Sequence, residues 1–301
     1  FNIIVMKIVK KLFLPFLIFA LFIGVSRAST LESRVTSYVN NLANSLGDNI
    51  SNLLKGNDRI KHLDLRIGVK ENLKPTISLM NVNKIKETET GTFFNQNSLS
   101  LHDNDQTINI GLGHRSLMYD DKLIIGINVF LDYAFDEAHQ RQGAGLEFIS
   151  SSFDLRGNYY DATSGIQNTG GGSTEEALDG WDSRLDFHLP MKYDLRLFGS
   201  VFDFENAAGN FELEGEKYGL NALIDRFNIE VGYTDDNKNG DGVFANVAYR
   251  IPLGSQQVNT KVSKSISEFV SVRDRLYEPV KRENKIRVVR ISAANIVVSG
   301  F

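Results

Sequence analysis

From Leu123 to Tyr160 apolar and polar positions alternate in three successive runs. In the first, Leu123, Ile125, Ile127, Val129, Leu131, Tyr133 and Phe135 are apolar, and the positions between them include Gly126, Asn128 and Asp132. The register then resets: Ala144, Leu146 and Phe148 fall on one face, and Arg141, Gly143, Gly145 and Glu147 on the other. The third run sets Phe153, Leu155 and Tyr159 against Asp154, Arg156 and Asn158. A period of two over about ten residues marks a strand whose faces meet unlike surroundings.

The same pattern predicts strands over most of the chain. Leu63, Leu65, Ile67 and Val69 alternate with Asp64, Arg66, Gly68 and Lys70; Pro75 to Val82 and Phe93 to Leu101 are weaker runs. Ile108, Ile110 and Leu112 alternate with Asn109, Gly111, Gly113 and Arg115. Further runs cover Trp181 to Leu189, Tyr193 to Val201, Tyr218 to Ile224, Phe227 to Tyr233 and Val243 to Ile251. The total is about twelve strands, an even number as a bacterial membrane barrel requires.

Alternation alone also fits a soluble sheet, which buries its apolar face and wets the other. The polar faces carry opposite charges two residues apart: Asp154 with Arg156, Asp182 with Arg184, Asp194 with Arg196. Such charge suits a polar lumen, and aromatics near strand ends (Tyr133, Phe135, Tyr159, Trp181, Tyr193, Tyr249) suit interfacial girdles. Connections alternate in length. Leu117 to Asp121, Ser150 to Ser152, Pro190 to Lys192 and Asp225 to Arg226 are short, as periplasmic turns should be. Asp161 to Gly180, Asp203 to Asn210 and Thr234 to Asp241 belong to the long-loop class, and only Lys84 to Thr90 is too long for its place.

The N-terminus changes the picture. Met6, Lys7, Lys10 and Lys11 precede an apolar run from Leu12 to Val25, with Ser26-Arg27-Ala28 as a small-x-small cleavage site. That run is short for a membrane span, so the expectation is a cleaved secretory signal over 1–28. Leu31, Val35, Tyr38, Val39, Leu42, Leu46, Ile50 and Leu53 then recur at helical spacing, which predicts a periplasmic helical segment over 29–60. The barrel is expected over 61–254, which leaves 255–301 as a C-terminal segment that the resemblance described below makes a linker.

Composition narrows the function. The 301 residues contain no Cys and carry a net charge of −4, which removes disulfide scaffolds and Cys-ligated metals and argues against a nucleic-acid partner. Asp235-x-Asn237-x-Asn239-Gly240 opens like a calcium loop, but its twelfth position is Asn246 rather than Glu, so a hairpin turn is expected. His62, His102, His114, His139 and His188 lack metal-ligand spacing. Ser98, His102 and His114 are the residues a barrel hydrolase would use, though nothing orients them; no enzyme activity and no cofactor is expected.

Several stretches carry a family resemblance. They are Gly111-Leu112-Gly113-His114-Arg115, Gly126-Ile127-Asn128-Val129-Phe130-Leu131-Asp132-Tyr133, His139-Gln140-Arg141-Gln142-Gly143-Ala144-Gly145-Leu146-Glu147, Asn158-Tyr159-Tyr160 and Asp179-Gly180-Trp181-Asp182 before Leu189-Pro190. In this order they resemble the β-domain of inverse autotransporters, the intimin/invasin family. Tyr249-Arg250-Ile251-Pro252-Leu253 resembles the family's last strand. Arg275-Leu276-Tyr277-Glu278-Pro279-Val280-Lys281-Arg282-Glu283-Asn284-Lys285-Ile286 resembles its linker, with Pro279-Val280 as an insertion.

The resemblance implies an all-β transmembrane antiparallel barrel in a Gram-negative outer membrane, with the linker threading the lumen. The lumen-facing and motif residues are then Gly111, Gly113, Arg115, Asn128, Asp132, Arg141, Gly143, Gly145, Glu147, Asp154, Arg156, Trp181, Asp182, Arg184 and Arg250; those of the linker are Arg275, Leu276, Arg282 and Asn284. Thr260 to Arg290 is expected in the pore, with Lys264, Glu268, Arg273, Asp274, Arg275, Lys281 and Arg282 facing lumen charges such as Glu147, Asp154 and Asp182. Expected partners are outer-membrane lipid, the barrel-assembly machinery, periplasmic chaperones, and a surface ligand for the loop 161–180. The sequence stops at Phe301, so adhesion by a passenger domain is not carried over. The leading expectation is a translocator that exports its own C-terminal segment, and the alternative is a porin-like or loop-presenting barrel.

Overall fold

The computed structural model describes residues 58–70, 76–102, 105–170, 172–190, 194–224, 226–251, 269–291 and 296–299. The expected signal peptide, the helical segment from Leu31 to Leu54, and Thr260 to Glu268 with Lys264 lie outside the described residues. Among those described, twelve strands close into an antiparallel barrel. In chain order they begin with β1 (Ile60–Lys70), β2 (Thr76–Thr88), β3 (Gly91–His102), β4 (Asp105–Met118), β5 (Leu123–Ala134), β6 (Gln140–Ser150) and β7 (Phe153–Ala162). Two short strands, β8 (Gln167–Gly170) and β9 (Ser173–Ala177), stand outside the ring. The barrel resumes with β10 (Asp179–Leu189), β11 (Asp194–Glu205), β12 (Glu212–Ile224), β13 (Phe227–Asp236) and β14 (Gly240–Arg250), and β14 pairs with β1 to close it. Closure leaves no free edge, which is how a sheet survives in lipid.

Burial along the strands is inverted relative to a soluble protein. On β5, Ile127, Val129 and Leu131 are 55%, 55% and 66% exposed, while Asn128 and Asp132 between them are 5% and 3% exposed. Leu99, Leu112, Leu146, Leu155 and Leu185 share the outer face. No water-facing surface tolerates so continuous an apolar belt, so the outside is a lipid face and the polar set lines the lumen.

The two ends differ. At one, here the turn end, β2–β3, β4–β5, β6–β7, β10–β11 and β12–β13 are joined by short connections. The other, the loop end, carries the longest ones, from Ala162 to Asp179 and from Glu205 to Glu212, although two residues join β3 to β4 there and three join β13 to β14. The stretch Lys84 to Thr90, too long for a turn by its sequence, is mostly strand. β2 continues to Thr88 past a bulge between Lys84 and Lys86, leaving a two-residue connection at Glu89-Thr90. The bulge breaks the alternation, which is why the pattern hid the strand.

The connection from Asp161 to Gly180 is also more ordered than a glycine-rich loop. β8 and β9 form a hairpin, with Gly170 and Gly172 at φ of 84° and 81°, values that favour residues without a Cβ. β9 pairs with β15 (Val288–Ile291), and β15 with β16 (Ile296–Ser299), giving a four-stranded sheet beside the loop end. Asp235 to Gly240 is the expected hairpin turn, with Asp236 Oδ1 accepting the backbone N–H groups of Lys238 and Asn239 at 3.0 and 2.6 Å.

The inverted faces give a sharp expectation. Val129→Arg, at the middle of a lipid-facing strand, should cost about 2–4 kcal/mol, and Asn128→Ser on the lumen side should be far milder. Folding into phospholipid vesicles followed by heat-shifted migration on SDS gels measures both; equal behaviour of the two variants would contradict the assignment of faces.

Candidate functional site: the lumen and its seated segment

A twelve-stranded barrel is wider than its own side chains can fill, since eight strands suffice for that. Here the space is taken by the described segment 269–291, which runs from the turn end to the loop end. At the turn end Val270 N–H donates to Ser151 Oγ at 3.1 Å and Val272 N–H to the Asp121 carbonyl at 2.7 Å. Arg273, in a single 3-10 turn at Arg273–Arg275, pairs with Asp121 at 2.8 Å and donates to the Glu89 carbonyl. Val272 and Leu276 then pack on Leu117, Ile124 and Ile149, where the wall itself turns apolar.

Above this stopper lies a cluster of ions. Asp154 on β7 sits 2.6 Å from Arg275, 3.2 Å from Arg156 and His188, and 3.3 Å from Arg196. Glu278 returns the charge, 2.6 Å from Arg275 and 2.9 Å from Arg196. Glu147 takes Arg115 at 2.8 Å and Arg156 at 3.4 Å. Segment and wall therefore interleave charges of both signs. Removing either partner of a buried pair leaves an uncompensated ion, which is costly.

Higher up, the wall grips the segment's main chain. Arg115 Nη1 donates to the carbonyls of Leu276 and Glu278 at 2.9 and 2.6 Å. Gln96 closes two bonds on Val280, accepting its N–H at 2.8 Å and donating to its carbonyl at 3.4 Å. Asn158, Arg141 and Asn109 donate to the carbonyls of Lys281, Glu283 and Asn284 at 3.1, 2.7 and 2.7 Å. Glu283 N–H donates to Tyr160 Oη at 2.7 Å, and that hydroxyl donates to Asp182 at 2.5 Å. Interspersed side-chain contacts fix the register: Lys281 with Asp186 at 3.0 Å, and Arg282 with Asp132 at 2.6 Å, where Arg141 also reaches the same carboxylate at 2.9 Å.

Glycines make room for a second layer. A Cβ at Gly111 or Gly113 would collide with the Phe130 or Phe94 ring, so both rings can lie flat on the wall. Arg282 stacks on Phe130 at 4.2 Å and Arg115 on Phe94 at 4.7 Å, which holds each guanidinium over an aromatic face. Gly145 similarly leaves space for the amides of Asn128 and Asn158.

At the loop end β15 takes over. Leu178 N–H donates to the Arg287 carbonyl at 2.9 Å, and Ile286 and Val288 pack with Ala134 and Ala177. Glu175 joins Arg290 at 2.6 Å and His139 at 3.4 Å, and His139 Nδ1 lies 3.1 Å from Ser164 Oγ. Burial pushes the Glu175 carboxyl up, but the bonds from His139 and Arg290 outweigh it and hold it below the ordinary value of 4.5.

Most residues singled out in the sequence stand in this lumen, with two departures in detail. Trp181 is 43% exposed on the lipid face, because it shares the phase of Leu185 and not that of Asp182 and Asp186. Asp182 does not pair with Arg184, since its partners are Tyr160 and Asn158, while Arg184 goes to Asp186 at 2.8 Å and Glu230 at 2.7 Å. Arg250 is half-buried near the turn end, opposite Asp64 on β1. Glu147 and Asp182 pair with wall residues, while Asp154 takes a cation of the segment. Ser98 faces the lumen against Asn109, and His114 stands on the outer face beside Phe93, so the two share no site; the side chain of His102 is not described. Asp186 falls on the polar face that alternation gives Trp181 to Leu189, but its pairing with Lys281 is not visible there, and Gln96 is not singled out at all; a two-residue count cannot say which polar residues meet the segment.

A family model described as "Inverse autotransporter, beta-domain" matches residues 25–284. The chain belongs to this family. No curated protein matches it. A solved structure described as "Unveiling the Mechanism Behind the in-meso Crystallization of Membrane Proteins" superposes with a TM-score of 0.63 at 20% identity, covering 76% of this chain and 100% of its own. The NanC porin gives 0.45 at 10% identity, covering 64% and 100%, and the KdgM porin 0.44 at 8%, covering 62% and 98%. The inverse autotransporter β-domain is thus a barrel of the bacterial outer membrane.

Two outcomes are expected for this inverse autotransporter. Asp154→Asn removes the carboxylate facing Arg275, Arg156 and Arg196 and should cost about 3–5 kcal/mol, read as a lower urea midpoint by tryptophan fluorescence. The lowered pKa of Glu175 means that its stabilisation is complete above 4.5 and is lost as pH falls through its folded value. Amides of Val288–Ile291 should therefore exchange faster, relative to intrinsic rates, in acid than at neutral pH, and Glu175→Gln should show the faster behaviour at neutral pH.

Proposed function

We propose that this inverse autotransporter is a translocator that holds its own C-terminal segment in the lumen and presents the residues beyond that segment on the cell surface. The observation that carries the reading is the row of wall groups (Arg115, Gln96, Asn109, Arg141, Asn158, Tyr160) bonded to main-chain atoms of the segment. Groups that grip carbonyls and N–H groups accept an extended chain of almost any sequence, as an export path requires. Charges at Arg275, Glu278, Lys281 and Arg282 then select where the passing chain stops. Ordering an extended segment costs about 1–2 kcal/mol of backbone entropy per residue, and the buried bonds and ion pairs are what offset it.

In this reading the turn end faces the periplasm and the loop end the exterior. Periplasmic chaperones and the barrel-assembly machinery deliver the chain, and the β8–β9 hairpin, beside the exposed Ile166, offers a surface for an external ligand.

The native chain has no cysteine, so single replacements report topology cleanly. Ser299→Cys should react with a membrane-impermeant maleimide on intact cells. Lys122→Cys, in the β4–β5 turn, should react only after the outer membrane is permeabilised. The opposite pattern would overturn the orientation, and protection of position 299 in intact cells would sink the export reading.

A further inference from the structure

The seated segment does not fill the lumen. Most of its bonds to the wall go to β2–β7, β10 and β11, with Lys217 on β12 reaching Glu283 only at 3.8 Å, and on the side of β1, β12, β13 and β14 a cavity of about 380 Å³ remains. It runs the height of the barrel, from Arg226 and Leu223 at the turn end to Thr76 and Thr234 at the loop end. Averaged over an apolar band of about 25 Å, that volume gives a mean cross-section of roughly 15 Å², comparable with that of a small inorganic ion. Ser78, Ser100, Asn221, Asn228 and Asn246 line it, so its walls are wettable.

The charges lining it are held unequally. Four of the acidic groups are engaged at short range: Glu230 by Arg184 at 2.7 Å, Glu278 by Arg275 at 2.6 Å, Glu283 by Arg287 at 3.0 Å, and Asp182 by the Tyr160 hydroxyl at 2.5 Å, while Asp64 lies 3.0 Å from His62. The basic groups on the open side are held loosely. Arg66 is 3.5 Å from Asp64 and Lys217 is 3.8 Å from Glu283, and the two side chains keep 35% and 34% exposure. Arg250 feels Asp64 and Glu278 through space without a hydrogen bond to either. A narrow passage in low-dielectric surroundings amplifies such an excess of loosely held positive charge, the arrangement by which rings of Arg and Lys select anions.

We propose that the barrel has a second activity, independent of export: a permeation lane for small inorganic anions that stays open beside the seated segment. Arg66, Lys217 and Arg250 set its selectivity. The lane belongs to the loaded barrel, so it does not require the segment to leave.

The test is single-channel recording of the full chain in planar bilayers under a potassium chloride gradient, with folding checked by heat-shifted migration. A small conductance whose reversal potential lies on the chloride side is expected. Arg66→Glu with Arg250→Glu should move the reversal potential towards potassium. If that pair fails to fold, Arg66→Gln with Arg250→Gln should abolish the preference while conductance persists. A folded chain that is silent, prefers potassium, keeps its selectivity in the variants, or conducts only after residues 269–301 are deleted would each overturn the proposal. Maleimide labelling at position 299 is read separately, so loss of the lane and loss of the export reading are distinguishable.

Discussion

The structure depends on one electrostatic constraint: charges enclosed by a lipid-coated wall must find partners inside it. Arg115, Arg141, Arg156 and Arg287 are almost wholly buried, as are Asp132, Glu147, Asp154 and Asp186. Moving such ions out of water is expensive, and only close pairing with further hydrogen bonds compensates. The wall does not complete this pairing by itself. Asp154, Asp132 and Asp186 each meet a cation brought by the segment, and Arg196 meets Glu278. The segment is thus part of the lumen's charge balance as well as an occupant of it.

A second constraint is width. Twelve strands leave room for one extended chain with something over, and the fold uses the two halves of the space differently. Against β3–β7, β10 and β11 the segment is gripped by backbone-directed donors and arginine stacking on Phe130 and Phe94. Against β12–β14 and β1 the lumen stays open. The glycines at 111 and 113 belong to the first half, because only a strand without Cβ atoms lets an aromatic ring lie flat and serve as a shelf. Apolar packing closes the gripped side at each end, Leu276 among Leu117, Ile124 and Ile149 at one and Val288 among Ala134 and Ala177 at the other.

The fold is largely legible in the sequence because alternation is local. Ile127, Val129 and Leu131 against Asn128 and Asp132 name both faces, and the short connections at Ser150 to Ser152 and Asp225 to Arg226 mark the turn end. Legibility fails where the period breaks or where a contact is long-range. The bulge at Lys84 and Lys86 hides six residues of β2. The strand in Ser173 to Ala177 pairs on one side with β8 and on the other with Val288–Ile291, more than a hundred residues later in the chain. Pro279-Val280, an apparent interruption of the linker, proves to be where Gln96 takes hold of the backbone, and nothing in the linker's own residues announces that.

By itself, then, the sequence determined an all-β barrel with a greasy outside, a charged inside and a basic and acidic segment fit to pair with it. The two faces are properties of residue type and spacing along one strand, which a period of two expresses; the charge on the polar faces, the apolar N-terminal run and the ordered family motifs are what turn them into a lipid face and a lumen. Only the tertiary structure decided which charges meet: Asp154 with Arg275 and not only its neighbour Arg156, Arg184 with Glu230 and not Asp182, Arg282 with Asp132. Barrel closure and register bring together residues from strands far apart in the chain, and the electrostatic energy of a buried ion depends on its nearest few ångströms. For the same reason the open lane beside the segment could not be read from any stretch of the chain, because it is the space left between two surfaces that meet only on closure.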